Sequence, residues 1–182
     1  MSILELFFTS LSLAMDAFAV SICKGLANKK ASFKNGIVVS TYFGIFQAIM
    51  PLLGYYLGNI LSDSIVKYDH YIALILLTLI GISMIRESNE NNDVSYEIKP
   101  QEMILLSIAT SVDALIIGIT LSFLRVSIIK SVSFIGLITL LTCFIGYQIG
   151  SIVGKKFNKY SKILGGITLI IIGIKTFIEH IA

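Results

Sequence analysis

Two aspartates stand in the middle of apolar runs, Asp16 in LSLAMDAFAVS and Asp113 in SIATSVDALIIG. A carboxylate at bilayer depth is expensive to keep, so such residues face a polar cavity and mark an ion or substrate path. At helical spacing, Thr9, Ser12, Asp16 and Cys23 share one stripe, and Thr110, Asp113 and Thr120 make the corresponding one. Hydroxyls beside a carboxylate can complete an oxygen shell around a cation; they can equally well satisfy carbonyls of their own helix. A third contribution comes from FGIFQAIMPLLG, which holds Gln47 and Pro51. Proline has no amide hydrogen, so the carbonyl of Gln47 loses its helical donor. Gln47 can thus offer a backbone and a side-chain oxygen, or the pair is a proline kink with Gln47 bonded to a neighbouring helix. The candidate metal ligands are therefore Asp16, Asp113, Gln47, Ser12 and Thr110. All are hard oxygen donors, which suit magnesium, calcium or manganese; zinc, cadmium and copper prefer Cys and His. His70 and His180 fall at expected external helix ends, away from the midplane.

The elements that must carry these residues follow from composition. The chain has 182 residues, 55% of them hydrophobic, too apolar for a wetted globule. About 20 apolar residues cross a bilayer, and six such spans are expected, at 3–23, 37–61, 70–86, 102–124, 131–153 and 162–181. The chain is thus an all-α integral membrane protein with little left for a soluble domain. The first span lacks a basic flank and a cleavage pattern and is expected to stay in the mature protein. Cys23 and Cys143 form neither a CxxC pair nor a disulfide framework and read as packing residues.

Charge sets the orientation. Loops after spans one, three and five hold Lys24, Lys29, Lys30, Lys34, Arg86, Lys99, Lys155, Lys156, Lys159 and Lys162, against Lys67, Arg125 and Lys130 on the other side. The basic loops are expected in the cytoplasm and both termini outside it. The net charge of +3 then reflects orientation, with no nucleic-acid partner. GSIVGKK at 150–156 lacks phosphate-loop spacing. Without a nucleotide motif, neither an enzyme nor an ATP-driven pump is expected, and no cofactor.

The chain also resembles itself. Asp16-Ala17 matches Asp113-Ala114 at an offset of 97 residues; Gly54-Tyr55 and Gly58 match Gly146-Tyr147 and Gly150 at 92; Ile80-Gly81-Ile82 and Glu87 match Ile172-Gly173-Ile174 and Glu179 at 92. This gives two three-helix repeats, 1–87 and 102–182, joined by a polar cytoplasmic linker at 88–101. Three is odd, so the second repeat enters the membrane from the opposite face, an inverted plan common among secondary transporters, with substrate held at the midplane. Glu90, Asp93 and Glu97 belong to the solvated linker and carry no site. Gly54 and Gly58, and Gly146, Gly150 and Gly154, mark close helix contacts.

On MDAFAVSICKG, FGIFQAIMPLLG, ATSVDALIIGITLSFL and GKKFNKYSKILGGITLIIIGI, the chain resembles the MntP family of manganese efflux pumps over essentially its whole length. The resemblance implies a six-span Mn2+ exporter in a bacterial cytoplasmic membrane, with functional aspartates at Asp16 and Asp113. Some relatives carry Glu where this chain has Gln47, which leaves less charge here. Export of a divalent cation against an inside-negative potential costs roughly 4.6 kcal/mol per 100 mV. Nearby carboxylates resist being ionised together, so exchange of one metal ion for two protons is a chemically accessible coupling. Exporters of another divalent cation, or of a small molecule such as an amino acid, remain alternatives. The latter needs a cationic group for the substrate carboxylate, and only Lys175 is near.

Overall fold

The computed structural model describes residues 3–28, 32–57, 98–123, 127–157 and 166–172, with single helical positions at 75, 78, 82, 85, 163, 174 and 178. All regular structure among the described residues is helical. The third expected span at 70–86 lies almost wholly outside them, as do His70, Lys175, His180 and residues 88–97 of the linker. Five helices carry the description: α1 (Ile3–Ala27), α2 (Phe33–Leu57), α3 (Pro100–Ala109), α4 (Val112–Phe123) and α5 (Ile128–Phe157).

Helix α1 has 25 residues, about 37 Å at 1.5 Å per residue, which is enough to cross the hydrocarbon core. Glu5 stands in its first turn and Lys24 in its last, each at the end of the helix dipole that favours its charge. Helix α2 starts where Ser32 Oγ accepts the Asn35 amide at 3.4 Å, a capping arrangement, and it runs on through Pro51. α1, α2 and α5 are each long and apolar enough to span a membrane. The pair α3 and α4 makes a fourth such element only if counted together, because it is bent by 48°.

Span four was expected as one helix across 102–124, with Thr110, Asp113 and Thr120 on a single stripe. Instead the helix breaks at Thr110–Ser111, and local hydrogen bonding is the reason. Thr110 Oγ1 donates to the carbonyls of Leu106 (3.0 Å) and Ser107 (3.4 Å), while Ser111 Oγ donates to those of Ser107 (2.6 Å) and Ile108 (3.3 Å). The Ser111 amide reaches only three residues back, to Ile108 at 3.1 Å. Hydroxyls that bond the preceding turn bend helices, and two in succession end this one.

Burial is inverted relative to a water-soluble protein. On α2 the outward residues are Ile45, Ile49, Leu53 and Tyr56, on α5 Leu137, Leu141, Ile145, Ile149 and Ile152. The buried residues of the same helices include Ser40, Gln47, Thr139 and Ser151. An apolar exterior around polar side chains is what a lipid solvent selects.

Glycines set the helix contacts. Gly146, Gly150 and Gly154 of α5 meet Phe18, Ile22 and Leu26 of α1 in step, so these helices are parallel. Gly36 of α2 meets Gln148 and Phe144 of α5, whereas Gly44 meets Gly136 and Leu140; numbers rise along one helix as they fall along the other, so α2 and α5 are antiparallel. Their crossing is reciprocal: a Cβ on Gly44 would stand 3.0 Å from the Gly136 carbonyl, and one on Gly136 would stand 2.9 Å from that of Gly44. Contacts elsewhere also come in pairs. Counting 97 residues on from α1 to α4, and 92 from α2 to α5, carries Phe18–Gly146 onto Leu115–Gly54, which is itself a backbone-close contact.

Candidate functional site

Asp16 lies at the middle of α1, half-buried, between the buried Ala14 and Ala17. One turn earlier, the carbonyl of Leu13 accepts a hydrogen bond from Gln47 Nε2 at 3.1 Å. Leu13 packs with Ala114 of α4 and Ile135 of α5, against Met50 of α2 and Ile117 of α4. Since Leu13 is three residues before Asp16 and Ala114 directly follows Asp113, both aspartate helices meet α2 and α5 at one level.

Asp113 owes its setting to the break. It stands in the first turn of α4, half-buried, and its Oδ1 accepts the Ala114 amide at 2.7 Å. A helix N-terminus favours an ionised carboxylate. On the other side of the break, the last-turn carbonyls of α3 are met by the Thr110 and Ser111 hydroxyls in place of a continuing helix. Unwound backbone of this kind, beside half-helix ends, is how membrane transporters present oxygen to small cations.

Gln47 is fully buried, and while its Nε2 is bonded, its Oε1 has no hydrogen-bond partner among the described residues. Pro51, one turn on, is buried too, and Gly118 of α4 lies so close that a Cβ there would strike the Pro51 backbone. α2 therefore meets α4 at the proline, and Gln47 holds α1. The expected bond to a neighbouring helix is made by the amide nitrogen, and the amide oxygen is left over among the described residues.

The remaining candidates divide. Thr110 is buried, with its hydroxyl turned back on α3 as described above, so its free capacity is as an acceptor. Ser12 is exposed on α1, and Thr120 is exposed on α4. Cys23 and Cys143 are buried free thiols. Among the described residues no three of His, Cys, Asp and Glu come together. Any cation held by these helices must therefore draw on amide, hydroxyl and carbonyl oxygens beside the two carboxylates.

The family description "Putative manganese efflux pump" matches residues 30–177. The chain belongs to the MntP family. It is 45% identical to a protein of Acetivibrio thermocellus named "Putative manganese efflux pump MntP", covering 100% of this chain and 93% of that one. Namesakes from Desulfitobacterium hafniense (44%; 98% and 95% covered) and Mannheimia succiniciproducens (46%; 99% and 98% covered) are similar in the same way. No solved structure matches.

At the other end of this MntP-family chain is a pair that charge counting treated as separate. Lys24 was expected in a basic loop; α1 instead continues through it, and it is 2% exposed, ion-paired with Glu102 at the start of α3. Nearby on the same helix end, Asn28 Nδ2 donates to the Tyr147 hydroxyl at 2.5 Å. Sequence reasoning had no signal for Glu102, whose partner is 78 residues away.

Proposed function

We propose that this chain exports Mn2+ from the bacterial cytoplasm as a secondary transporter, with the ion held at the midplane between Asp16 and Asp113. Gln47 and Thr110 supply neutral oxygens, and Ser12, on the exposed side of α1, contributes through water. The observation that carries the reading is the fully buried Gln47 Oε1 without a partner, on a side chain fixed one turn from Asp16. A buried acceptor left unmet is costly, and a hard cation between two carboxylates would meet it. The names of the relatives support manganese as the cation.

The architecture proposed is six spans in two inverted halves, 1–87 and 102–182, joined by 88–101. The antiparallel crossing of α2 and α5 at Gly44 and Gly136 supports it, because a two-fold axis brings equivalent residues into reciprocal contact. Both termini are placed outside the cytoplasm, so that Lys24 and Glu102 share the cytoplasmic end. Exchange of one Mn2+ for two protons would make transport electroneutral and remove the electrical cost of moving two charges.

The test is flux in proteoliposomes that hold the purified chain and a pH-sensitive dye. Mn2+ movement should drive opposite proton movement at about two protons per ion, insensitive to an imposed potential. Mn2+ flux that needs no protons sinks the coupling; absence of any Mn2+ flux sinks the function. For the orientation, cysteines placed at Lys29 and Asn158 should resist an impermeant thiol reagent in intact cells, and one at Asp63 should react.

A further inference from the structure

On the described helices, most buried hydroxyls turn back on their own chain; Ser107 and Thr139 are the exceptions. Ser10 bonds the Leu6 carbonyl at 2.6 Å, Ser21 that of Phe18 at 2.8 Å, Ser40 that of Ile37 at 3.0 Å and Ser151 that of Gln148 at 2.9 Å. Thr142 on α5 does the same, reaching Ile138 at 2.7 Å. Thr139, one turn before it, does not: it is 0% exposed and its Oγ1 has no hydrogen-bond partner. The ordinary back bond is forgone at a buried hydroxyl, where leaving it unmade is costly.

Its place in the fold gives the omission a meaning. Gln47 stands three residues after Gly44 and Thr139 three after Gly136, and these two glycines make the reciprocal crossing. Thr139 is therefore the position on α5 that corresponds to Gln47 on α2, at the offset of 92 that also relates Gly54 to Gly146. The neighbours correspond as well. Phe43, one turn before Gln47, and Ala17, next to Asp16, share one apolar cluster; Ile135, one turn before Thr139, and Ala114, next to Asp113, share another. Both equivalent polar side chains are fully buried, and each has an oxygen with no partner.

We propose that Thr139 is an oxygen ligand of the transported cation, supplied by the second half where the first supplies Gln47. The ion then meets a carboxylate and a neutral side-chain oxygen at corresponding positions of each half, with Thr110 as a further neutral donor on the second. This rests on the Asp16–Asp113 reading and extends it to a residue that its donor set did not contain. A hydroxyl is a hard donor, so Thr139 favours Mn2+ over cadmium and zinc. Being short, it leaves more room for ion-bound water on the α5 side than glutamine leaves on α2.

Mn2+ titration of the purified chain in detergent, with thermal unfolding before and after metal, tests this. Thr139→Val should weaken Mn2+ binding about tenfold, the scale of one lost charge-assisted contact. Without metal its unfolding temperature should not fall, because valine removes an unmet hydroxyl. Thr139→Ser should bind as the parent does. Thr139→Cys puts a soft ligand in the same place; made together with Cys143→Ala, which removes the thiol one turn away, it should give with added Cd2+ a cadmium–thiolate ultraviolet band that Cys143→Ala alone lacks. Parent-like Mn2+ binding by Thr139→Val, or no new band with Thr139→Cys, overturns the proposal while Asp16→Asn and Asp113→Asn still lose binding. If those two aspartate variants bind normally, the underlying site is wrong and Thr139 falls with it.

Discussion

Asp16 and Asp113 hold corresponding positions on helices built differently. Around Asp16, α1 runs unbroken for 25 residues; Leu13 and Ala14, one turn before it, have no side-chain hydrogen-bonding groups. At the corresponding place before Asp113 stand Thr110 and Ser111, whose hydroxyls take the carbonyls of the preceding turn and end the helix. The serines further back differ in the opposite direction: Ser10 bonds Leu6, while Ser107 Oγ is buried without a partner among the described residues. On the proposed duplication, both segments keep the carboxylate while their helix geometry differs. On the proposed two-half plan, the first half offers a carboxylate on a continuous helix and the second offers one beside a 48° bend.

The severest challenge to this comparison is to neutralise each aspartate in turn. Asp16→Asn and Asp113→Asn should each abolish manganese tolerance of cells at equal membrane expression. Full tolerance in one variant alone would mean that only one helix carries the ion and that the correspondence of the two is a relic of duplication.

The ends of the helices differ more than their centres. Lys24 corresponds to Leu121, 2% exposed in its own cluster, so one end of the bundle is closed by a buried ion pair and the other by leucine. Removing one partner of a buried pair strands the other, at a cost of about 3 kcal/mol. Lys24→Leu should therefore lower the unfolding temperature clearly. Lys24→Leu with Glu102→Leu, which copies the apolar end, should recover most of the loss. Failure of the double variant to recover would give the pair a role beyond stability.

A smaller effect separates the two glycine contacts. A Cβ at Gly54 would meet the backbone of Leu115 and, at 3.1 Å, the Ile119 amide; one at Gly146 would meet the Phe18 ring and the Ser21 hydroxyl, both at 2.7 Å. Backbone cannot move aside as a ring can. Gly54→Ala should cost about 2 kcal/mol and Gly146→Ala about half that, both read from thermal unfolding in detergent. Equal losses would show that the Phe18 ring is held as firmly by its neighbours as the Leu115 backbone is.

How far the chain could be read in advance depended on whether the deciding interaction was local. The spans that α1, α2 and α5 carry were legible because long apolar runs must be buried in lipid, and the two aspartates stood out because a carboxylate in such a run is costly wherever the chain goes. The break at Thr110 was not, since both residues tolerate a helix and only the competition for the Leu106, Ser107 and Ile108 carbonyls decides. Burial of Lys24 was hidden for a different reason: positive charge near a span end reads as loop, and its partner on α3 is far along the chain. Thr139 was within reach, because the offset of 92 that matched the glycines also leads from Gln47 to it. A threonine in an apolar run simply gives no cost signal until its missing back bond is seen.

Ser12 should show the smallest effect, and its corresponding residue says why. At the matching position, 97 residues on, stands Ala109, buried in the last turn of α3. The second half therefore presents its aspartate without any hydroxyl there. Ser12 itself is exposed, and an exposed hydroxyl can reach an ion held inside only through water, a contact worth little more than the water it orders. Ser12→Ala should leave Mn2+ efflux from loaded cells within about twofold of the parent, well short of the tenfold that 1.4 kcal/mol would give. A loss comparable to that of Asp16→Asn would place the ion on the outer side of α1. That would set the first half apart from the second at the site itself as well as in the helices around it.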